Sequence, residues 1–505
     1  MSTVNVLQPI TLAITLIAAV GLASFVRPYL RTRTLASKLP PGPPSHWLIG
    51  NQQPPPYAHR YYTELAKTYG PVFTLRYGSR IVCVIAGHQA ALDIMVQQAP
   101  ALADRPRHVA ADELVSRGMR VLLVGAGARL RRLRAALHAA LQPASAPRYE
   151  RVQGKAARQF VRDVAEDPAR FAEHARRYAA TVILTVTYGK TTPTSYGDMI
   201  VQEINRNAER LMKALVPGAY LVDSYPILKH VPGFTSELDR FHREELDLYT
   251  RQVDTVRRKV TANSVQPCFV TYLLDNQEKM ELSDDELAYL AGSMFGAGSD
   301  TTAGVLTYMV MAAALYPDAQ RWVQNKLDAV VGRDRAPTFS DQDRLPEIWA
   351  FAEELYRWRP LAPQGFTHRA TQDVVWKDYV IPAGAEVVGC HWAIGRDEEV
   401  FDDPEEFRPE RWLDAKGQMR DDIRSFNFGF GRRVCPGQHL AERSVFINLA
   451  LALWAFEISE DPTRPIDSLA VADAALSHPL PFAAQFKPRV ASLTQKLSAL
   501  DVDDG

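Results

Sequence analysis

The sequence predicts a mainly α-helical protein with small β-sheets and an N-terminal transmembrane helix. Helical periodicity dominates the chain, whereas strand-like patterns occur mainly in residues 72–85 and again from residue 373 onward. A capping box at residues 283–286 begins an apolar helical stretch, and Pro317 ends it. These signals predict one helix over residues 283–316, which at about 1.5 Å per residue would cross the whole molecule.

The composition describes a large globular protein without a charge preference. The chain has 505 residues, with 58 cationic and 58 anionic side chains and four cysteines. This length is ample for a large core, and the balanced charge argues against nucleic acid as the main partner. The cysteines lie far apart with no CxxC or zinc-binding spacing, a pattern typical of free thiols in a reducing compartment.

The N-terminus, residues 1–30, predicts a membrane anchor. An apolar span covers roughly residues 7–26, close to the 20 or so residues that cross a bilayer as a helix, and Arg27 and Arg31 follow it. A cleaved signal peptide carries its charge before the apolar run. We therefore expect an uncleaved single-pass anchor with the remaining chain in the cytosol. A peripheral amphipathic helix is the alternative, although the segment has no polar face.

A basic, proline-rich hinge at residues 31–47 separates this anchor from one large domain, residues 48–505. The prolines favour a stiff, extended linker. In chain order, the further predicted elements are a hairpin over 72–85, a short helix over 90–98, an arginine-rich helix over 127–142, several helices over 155–260 interrupted by an irregular apolar connection at 215–227, a helix over 349–358 and a strand over 373–380.

A glycine-rich loop at residues 428–437 presents Cys435 immediately before a long apolar run. Amides near the start of a helix donate hydrogen bonds to a thiolate and lower its pKa. Arg433 adds positive charge for an anion beside the sulfur, while Gly431 and Gly437 let the backbone approach a flat or bulky group. A thiolate in this setting is suited to bind haem iron. The alternative is a buried structural cysteine after a turn.

This loop resembles the haem-binding signature of the cytochrome P-450 family, Phe-x-x-Gly-x-Arg-x-Cys-x-Gly. The matching, cofactor-binding positions are Phe428, Gly431, Arg433, Cys435 and Gly437. The resemblance implies the cytochrome P-450 fold, with the long central helix passing over haem b (iron protoporphyrin IX). It also implies that Cys435 is the axial ligand of the iron, and that residues 48–505 are the catalytic haem domain.

The middle of the long helix contains residues that weaken a helix interior. Gly298 costs about 1 kcal/mol there, and Asp300 and Thr301 place polar groups in an apolar stretch. A flawed core helix is one interpretation and a functional groove is the other. By the family resemblance, Ala297 and Gly298 make room for dioxygen beside the cofactor. Asp300 and Thr301 would then be the catalytic residues that relay protons.

Two further positions match family residues that bind haem propionates. Arg134 lies on the arginine-rich helix, and His368 ends an extended segment, although a lone histidine is often only a satisfied core side chain. Leu130 replaces a tryptophan that the family uses for the same purpose. For Arg129 and Arg132 the sequence leaves two alternatives open, an acidic partner surface or a solvated basic helix.

Glu354, Arg357 and Arg411 form a predicted structural cluster. The first two lie one helical turn apart, a spacing that is common on surface helices, and Arg411 follows in a Pro-Glu-Arg-aromatic segment. In the family, such a Glu-x-x-Arg pair and such an arginine form a buried ionic cluster behind the haem. The resemblance implies the same arrangement here.

Together these motifs predict a membrane-anchored haem-thiolate monooxygenase that inserts one oxygen atom from O2 into an apolar small molecule. Residues 215–227 and 477–482 resemble segments that roof or line the family's substrate pocket. No flavin or nicotinamide domain is visible, so the resemblance implies electrons from a separate NADPH-cytochrome P-450 reductase, with cytochrome b5 as a second candidate partner. The motifs are most similar to fungal members of secondary metabolism, and the expected location is the endoplasmic reticulum membrane. The alternatives are a haem-thiolate isomerase or dehydratase that needs no O2, and a non-catalytic haem carrier or sensor.

Overall fold

The computed structural model describes residues 37–190, 194–216, 218–264 and 266–503. Within these ranges the fold is mainly helical with small β-sheets, as the sequence predicts. The longer α-helices are α1 (Ala58–Tyr69), α2 (Ala128–Leu141), α3 (Glu150–Glu166), α4 (Phe171–Tyr188), α5 (Met199–Ala214), α6 (Ser236–Thr261), α7 (Phe269–Asn276), α8 (Asp284–Leu315), α9 (Pro317–Val330), α10 (Pro346–Trp358), α11 (Gln438–Ala455) and α12 (Leu493–Asp503). The strands are β1 (Val72–Tyr77), β2 (Arg80–Ile85), β3 (His368–Arg369), β4 (Val374–Trp376), β5 (Tyr379–Ile381), β6 (Glu386–Gly389), β7 (Phe456–Glu460) and β8 (Ala484–Pro488).

The largest sheet in the described part of the chain has the strand order β1-β2-β6-β3. Strands β1 and β2 are antiparallel, with Val72 opposite Ile85 and Tyr77 opposite Arg80, which confirms the predicted hairpin. Strand β6 joins β2 in parallel, so the sheet connects the start of the domain to a much later segment. The strand pairs β4–β5 and β7–β8 form two smaller antiparallel sheets.

Helix α8 is the centre of the hydrophobic core, and its sequence signals predict its ends well. Ser283 Oγ accepts a hydrogen bond from the Glu286 backbone N–H at 3.1 Å, and the Ser283 N–H donates to the Glu286 carboxylate at 3.2 Å. The helix packs against α4, α6 and α11. Its close approach to α4 requires Gly298, because a Cβ there would lie 2.7 Å from Ile183 Cδ1. The packing of α8 against α4 therefore requires a residue without a side chain at position 298.

Most other predicted helices are confirmed. The arginine-rich helix is α2, and its apolar stripe (Leu130, Leu133, Leu137 and Leu141) is buried. The helix predicted over 349–358 is α10, which begins three residues earlier at Pro346. Residues 90–98 are only partly regular, since a short α-turn continues into wider helical turns that end at Val96.

The strand predicted over residues 373–380 is wrong. This stretch is a hairpin in which β4 pairs with β5, with Trp376 opposite Tyr379. The turn depends on Lys377, which adopts a left-handed φ of 53°. No glycine or proline marks this turn in the sequence, so the apolar pattern appears continuous.

The predicted membrane span at residues 7–26 lies outside the described residues, as do residues 31–36 of the hinge. Among the described residues, no helix combines the length and hydropathy that a bilayer crossing requires. The proline-rich part of the hinge packs on the largest sheet. The Pro41 carbonyl accepts a hydrogen bond from the Thr74 N–H at 2.8 Å, and a Cβ on Gly42 would overlap the Thr74 carbonyl. The chain thus enters the domain along β1.

A buried ionic cluster joins α10 to the segment that precedes the cysteine loop. Glu354 and Arg357 are fully buried, and Arg357 Nε and Nη2 donate to the Glu354 carboxylate at 2.7 and 2.8 Å. The same carboxylate accepts hydrogen bonds from Arg411 Nε at 3.2 Å and from Trp412 Nε1 at 2.9 Å. Arg357 Nη1 donates to the Gly395 carbonyl at 2.7 Å. Glu354, Arg357 and Arg411 therefore lie together, in the arrangement that the sequence predicts.

Replacing Glu354 by alanine should destabilise the domain by about 3–5 kcal/mol, because two arginines lose their buried counter-ion. Urea unfolding of the purified protein measures this loss. Glu64→Ala is the control, since the Glu64–Lys67 pair is exposed and its loss should leave stability nearly unchanged. Equal unfolding midpoints for the two variants would contradict a stabilising role for the cluster.

Candidate active site

A cavity of about 380 Å³ lies between the middle of α8 and the glycine-rich loop. Its walls are mostly apolar side chains from α4, α5, α8 and α11. Representative residues are Ile183, Leu211, Met294, Val305 and Leu440. A cavity of this size and composition is typical of small-molecule and cofactor sites, whose volumes run from roughly 300 to 1,000 Å³.

Cys435 lines this cavity, and its side chain is accessible. The Cys435 N–H donates to the Phe428 carbonyl at 2.8 Å, which closes the loop behind the sulfur. Left-handed φ values of 83° at Gly429 and 49° at Gly431 make this turn possible. The Phe428 ring packs edge-on against Tyr356 of α10, with ring centroids 5.3 Å apart. The loop is thus held in place, and it presents the sulfur to the cavity.

Local electrostatics act on the Cys435 thiol in two directions. Burial raises the pKa of this thiol above its usual value, and the Gly437 backbone amide and the Arg134 charge offset only part of that rise. Helix α11 begins at Gln438, so an amide beside the helix start interacts with the sulfur in the way that the sequence predicts. A cation bound directly at the sulfur would favour the thiolate further, because a coordinated thiol loses its proton.

Four basic side chains form a cationic wall beside the cysteine loop. They are Arg105, Arg134, Arg433 and His368, and all of them line the cavity. Backbone carbonyls fix their positions. Arg433 Nε donates to the Ala103 carbonyl at 2.6 Å, and Arg134 Nη2 donates to the Val434 carbonyl at 2.7 Å. Neutral carbonyls orient these cations but do not compensate their charge.

Burial and mutual repulsion weaken the protonation of the cationic wall. Burial, and then the nearby charge of Arg433, lowers the pKa of Arg105 to about 9. Burial, and then the charge of Arg105, lowers the pKa of His368 to about 3, so this imidazole is neutral near pH 7 and the three arginines carry the charge of the cationic wall. Asp104 lies behind the wall, but its carboxylate accepts a hydrogen bond from Arg369 Nε at 2.7 Å. An anionic ligand in the cavity would therefore relieve an unfavourable concentration of positive charge.

Asp300 and Thr301 of α8 also line the cavity. Thr301 Oγ1 donates to the Ala297 carbonyl one turn earlier at 2.7 Å, the local pairing expected where threonine loosens a helix. Asp300 Oδ2 accepts a hydrogen bond from His478 Nε2 at 3.0 Å. His478 can approach because Gly304 has no side chain, and a Cβ there would lie 2.7 Å from the histidine Nδ1.

The turn that carries His478 is fixed to the core. The Tyr308 hydroxyl of α8 donates to the Ser477 carbonyl at 2.5 Å, and the Ser477 N–H donates to the Leu361 carbonyl at 2.7 Å. His478 does not line the cavity, and its side chain is 31% exposed. The Asp300–His478 pair therefore extends the polar contacts of the cavity wall to a partly exposed side chain beyond its lining.

Comparison with known proteins agrees with this geometry. The sequence profile described as Cytochrome P450 matches residues 40–486. The chain is 55% identical to cytochrome P450 monooxygenase 88 of Postia placenta, over 96% of this chain and 98% of that protein. The chain belongs to the cytochrome P450 family. It is also 34% identical to cytochrome P450 monooxygenase 58 of the same fungus, over 92% of this chain and 91% of the relative. Cytochrome P450 monooxygenase claR of Ampulloclitocybe clavipes is 31% identical, over 93% of this chain and 89% of its own length.

These relatives are monooxygenases by name, and this P450 is an oxidoreductase of the same kind. The family implies a haem cofactor and a redox partner. The residues of the cavity fit haem. The Cys435 sulfur at the cavity wall is a suitable iron ligand, and the apolar walls suit a porphyrin. The cationic wall has no anionic partner in the described part of the chain, and the two propionates of haem would supply that negative charge.

The structure brings most of the sequence-predicted site residues together. Those that line the cavity are Phe428, Arg433, Cys435, Gly437, Arg134, His368, Ala297, Gly298, Asp300 and Thr301. Gly431 does not line it but shapes the loop through its left-handed φ. The Glu354 cluster lies outside the cavity, and Leu130 is buried in the core where the family has its tryptophan.

Sequence reasoning missed Arg105 and the role of His478. Arg105 lies in the cationic wall, yet Arg107, two residues later, pairs with Glu113 at the surface. Nothing in the local sequence distinguishes the two arginines. His478 stands in a segment that the sequence associates with substrate, and its pairing with Asp300 joins residues 178 positions apart. Contacts between residues so far apart in the sequence become visible only in the folded structure.

Arg129 and Arg132 have an intramolecular partner, which neither of the two sequence-based alternatives includes. Both donate to the Glu286 carboxylate, through Arg129 Nε at 3.0 Å and Arg132 Nη2 at 3.0 Å. They therefore connect α2 to the first turn of α8, rather than facing solvent alone.

His478→Ala should increase the share of NADPH electrons that is lost as peroxide, because Asp300 loses the side chain that holds its carboxylate. The family resemblance assigns proton delivery to Asp300 and Thr301. Without the hydrogen bond from His478 the Asp300 carboxylate is less well oriented, so we expect slower proton delivery. The assay compares NADPH oxidation, peroxide release and product in the reconstituted system.

Thr301→Ala serves as the uncoupled reference in this assay. His138→Ala, at an exposed position of α2, is the matched histidine control. Coupling in His478→Ala that equals the His138→Ala value, while Thr301→Ala is uncoupled, would reduce the Asp300–His478 pair to a packing contact.

Proposed function

We propose that this P450 is a haem-thiolate monooxygenase that inserts one oxygen atom from O2 into an apolar small molecule, in fungal secondary metabolism. The observation that carries the proposal is the shared cavity of the Cys435 sulfur and the Asp300–Thr301 pair, enclosed by mostly apolar walls. The fungal origin of the relatives supports the organism class, and the similarity of the motifs to fungal members of secondary metabolism is the reason for the proposed pathway class.

Haem b, when bound, supplies the activation of dioxygen and the oxidising power of the reaction. Cys435 would hold the iron. Arg105, Arg134, Arg433 and His368 would hold the propionates, which compensates the charge that the cationic wall concentrates. The apolar side chains of α4, α5 and α8 exclude water and orient the substrate.

Proton movement is the task of the polar residues on α8. The Thr301 hydroxyl, fixed by the Ala297 carbonyl, can donate or accept at its Oγ1. Asp300 lines the cavity and is hydrogen-bonded to His478 on its outer side. A proton taken up at His478 therefore has a short route to the Asp300 carboxylate and then to the neighbouring threonine.

The same residues weigh against the alternative functions. An isomerase or dehydratase that works without O2 does not need protons delivered to oxygen, whereas the Asp300–Thr301 pair and the histidine bonded to Asp300 suit that task. The mostly apolar walls of the cavity favour an apolar substrate over the role of a haem carrier. Turnover that persists without NADPH would favour the isomerase, and the absence of any ligand-induced spin change would favour the carrier.

We also propose a single-pass endoplasmic reticulum protein, anchored by residues 1–30 with its catalytic domain in the cytosol. An NADPH-cytochrome P-450 reductase would supply the electrons that the family takes from a redox partner, with cytochrome b5 as a second donor. Large apolar side chains exposed between α5 and α6 support contact with a membrane. Leu221, Tyr225 and Ile227 are 59%, 61% and 72% exposed.

Cys435→Ala should abolish the strongly red-shifted carbon monoxide spectrum of the reduced protein, because that shift requires a thiolate ligand. Haem content is measured on the same samples. Cys268→Ala, a free cysteine that does not line the cavity, is the control and should keep the native spectrum. A native spectrum in Cys435→Ala would refute the ligand assignment and, with it, the proposed function.

Deletion of residues 1–30 should release the protein from microsomal membranes into the supernatant, because the apolar span provides most of the membrane affinity. A second deletion protein with Leu221→Ser and Ile227→Ser isolates the contribution of the exposed apolar surface. Undiminished sedimentation of both deletion proteins would show that neither segment is the anchor.

A further inference from the structure

A buried ion pair forms a polar patch in the otherwise apolar wall of the cavity. Arg120 and Tyr249 line the cavity, and they are only 8% and 1% exposed. Arg120 Nη2 donates to Glu245 Oε1 of α6, and the Tyr249 hydroxyl donates to the same oxygen at 3.0 Å. Glu245 is 2% exposed and lies behind the wall. The patch is therefore neutral as a unit, although it contains a guanidinium group.

One polar atom of this patch is both without a protein partner within the described ranges and open to the cavity, namely Arg120 Nη1. The other contacts of the Arg120 guanidinium are at 3.4 Å, from Nε to Ser116 Oγ and from Nη2 to Tyr249 OH. Among the described residues, no acceptor lies within hydrogen-bond distance of Nη1, and this atom is not enclosed by protein. It therefore faces the cavity that Arg120 lines. Ser293 Oγ and Glu245 Oε2 also have no partner in the described structure, but both atoms are enclosed by protein and are not accessible to a ligand.

Helix α8 fixes the place of the patch relative to the reactive end of the cavity. The Tyr249 ring lies against Gly292, where a Cβ would be 2.2 Å from Tyr249 Cδ1. Ser293 is the next residue, and Gly298 lies six residues after Gly292, about 9 Å further along the helix axis. The patch is thus separated from the Gly298–Thr301 turn by about the length of a multi-ring carbon skeleton.

We propose that this patch binds a neutral oxygen of the substrate, a carbonyl or a hydroxyl group on an otherwise apolar skeleton. Arg120 Nη1 donates a hydrogen bond to that oxygen. A carboxylate fits less well, because Glu245 already compensates the arginine charge. This inference rests on the proposed monooxygenase function and adds its substrate class. The enzyme acts after a reaction that has already placed one oxygen on the skeleton.

The ion pair also has a structural effect, since it fastens the segment after Ser116 to α6. A loss of binding alone would not separate the two roles. The decisive observation is a change of preference between ligands that share a carbon skeleton, because a structural tether affects all of them equally.

The experiment titrates the haem-loaded, full-length protein with cyclododecane, cyclododecanone and cyclododecanecarboxylate, and follows the change in haem spin state. The native protein should bind the ketone at least about tenfold more tightly than the hydrocarbon, because a buried charged donor gains its acceptor. It should also bind the ketone more tightly than the carboxylate.

Two variants of the patch test its residues. The double variant Arg120→Met with Glu245→Leu replaces the ion pair by apolar side chains, which avoids an unpaired buried charge. It should bind the ketone and the hydrocarbon within about twofold of each other. Glu245→Gln leaves the Arg120 charge uncompensated, and should shift the preference at least about tenfold from the ketone towards the carboxylate. Arg489→Met with Asp328→Leu is the control, an ion pair outside the cavity whose loss should keep the native preference.

A reduced carbon monoxide spectrum is recorded for every protein. If the native protein does not show the spectrum of a thiolate ligand, the proposed function itself is refuted. Equal affinity for ketone and hydrocarbon in a native protein with that spectrum would overturn only this inference, and so would an undiminished ketone preference in the double variant. Should the double variant fail to fold, the Glu245→Gln preference decides, and an unchanged preference there overturns the inference.

Discussion

The carboxylate of Glu354 is the interaction on which the cysteine loop depends. It accepts hydrogen bonds from Arg357, Arg411 and Trp412, and so holds the segment before the loop against α10. Helix α10 in turn supports the loop through the contact of Tyr356 with its first phenylalanine. A cysteine sulfur that faces a cavity needs such external support, because the cavity side offers it no packing.

The cavity wall contains buried arginines without a counter-ion and a buried arginine with one. This difference indicates which arginines bind the cofactor and which one binds the substrate. In the cationic wall, Arg105 and Arg433 have only neutral carbonyl partners among the described residues. An anionic ligand would therefore compensate charges that the protein leaves uncompensated. Arg120, in contrast, has its counter-ion in Glu245 and offers only a hydrogen bond. The first arrangement suits carboxylates of a permanent ligand, and the second suits a neutral molecule that must leave after the reaction.

Local signals in the sequence predict much of this fold, because capping boxes, apolar periodicity and motif spacing act over a few residues. The ends of α8 and the residues of the cysteine loop follow from such signals. The turn at Lys377 does not, since the left-handed residue is not a glycine. The pairing of Asp300 with His478 and the place of Arg105 in the cavity depend on tertiary contacts between distant segments, and no spacing rule encodes them.

The close packing of His478 on Gly304 has a consequence for how this enzyme can diverge. His478 occupies the space that a side chain at position 304 would need, so the two sites cannot enlarge independently. Among natural relatives, a bulkier residue at 304 must be accompanied by a smaller one at 478, or by a displaced turn. The pair is therefore a marker by which lineages that keep this aspartate–histidine contact can be separated from those that have lost it.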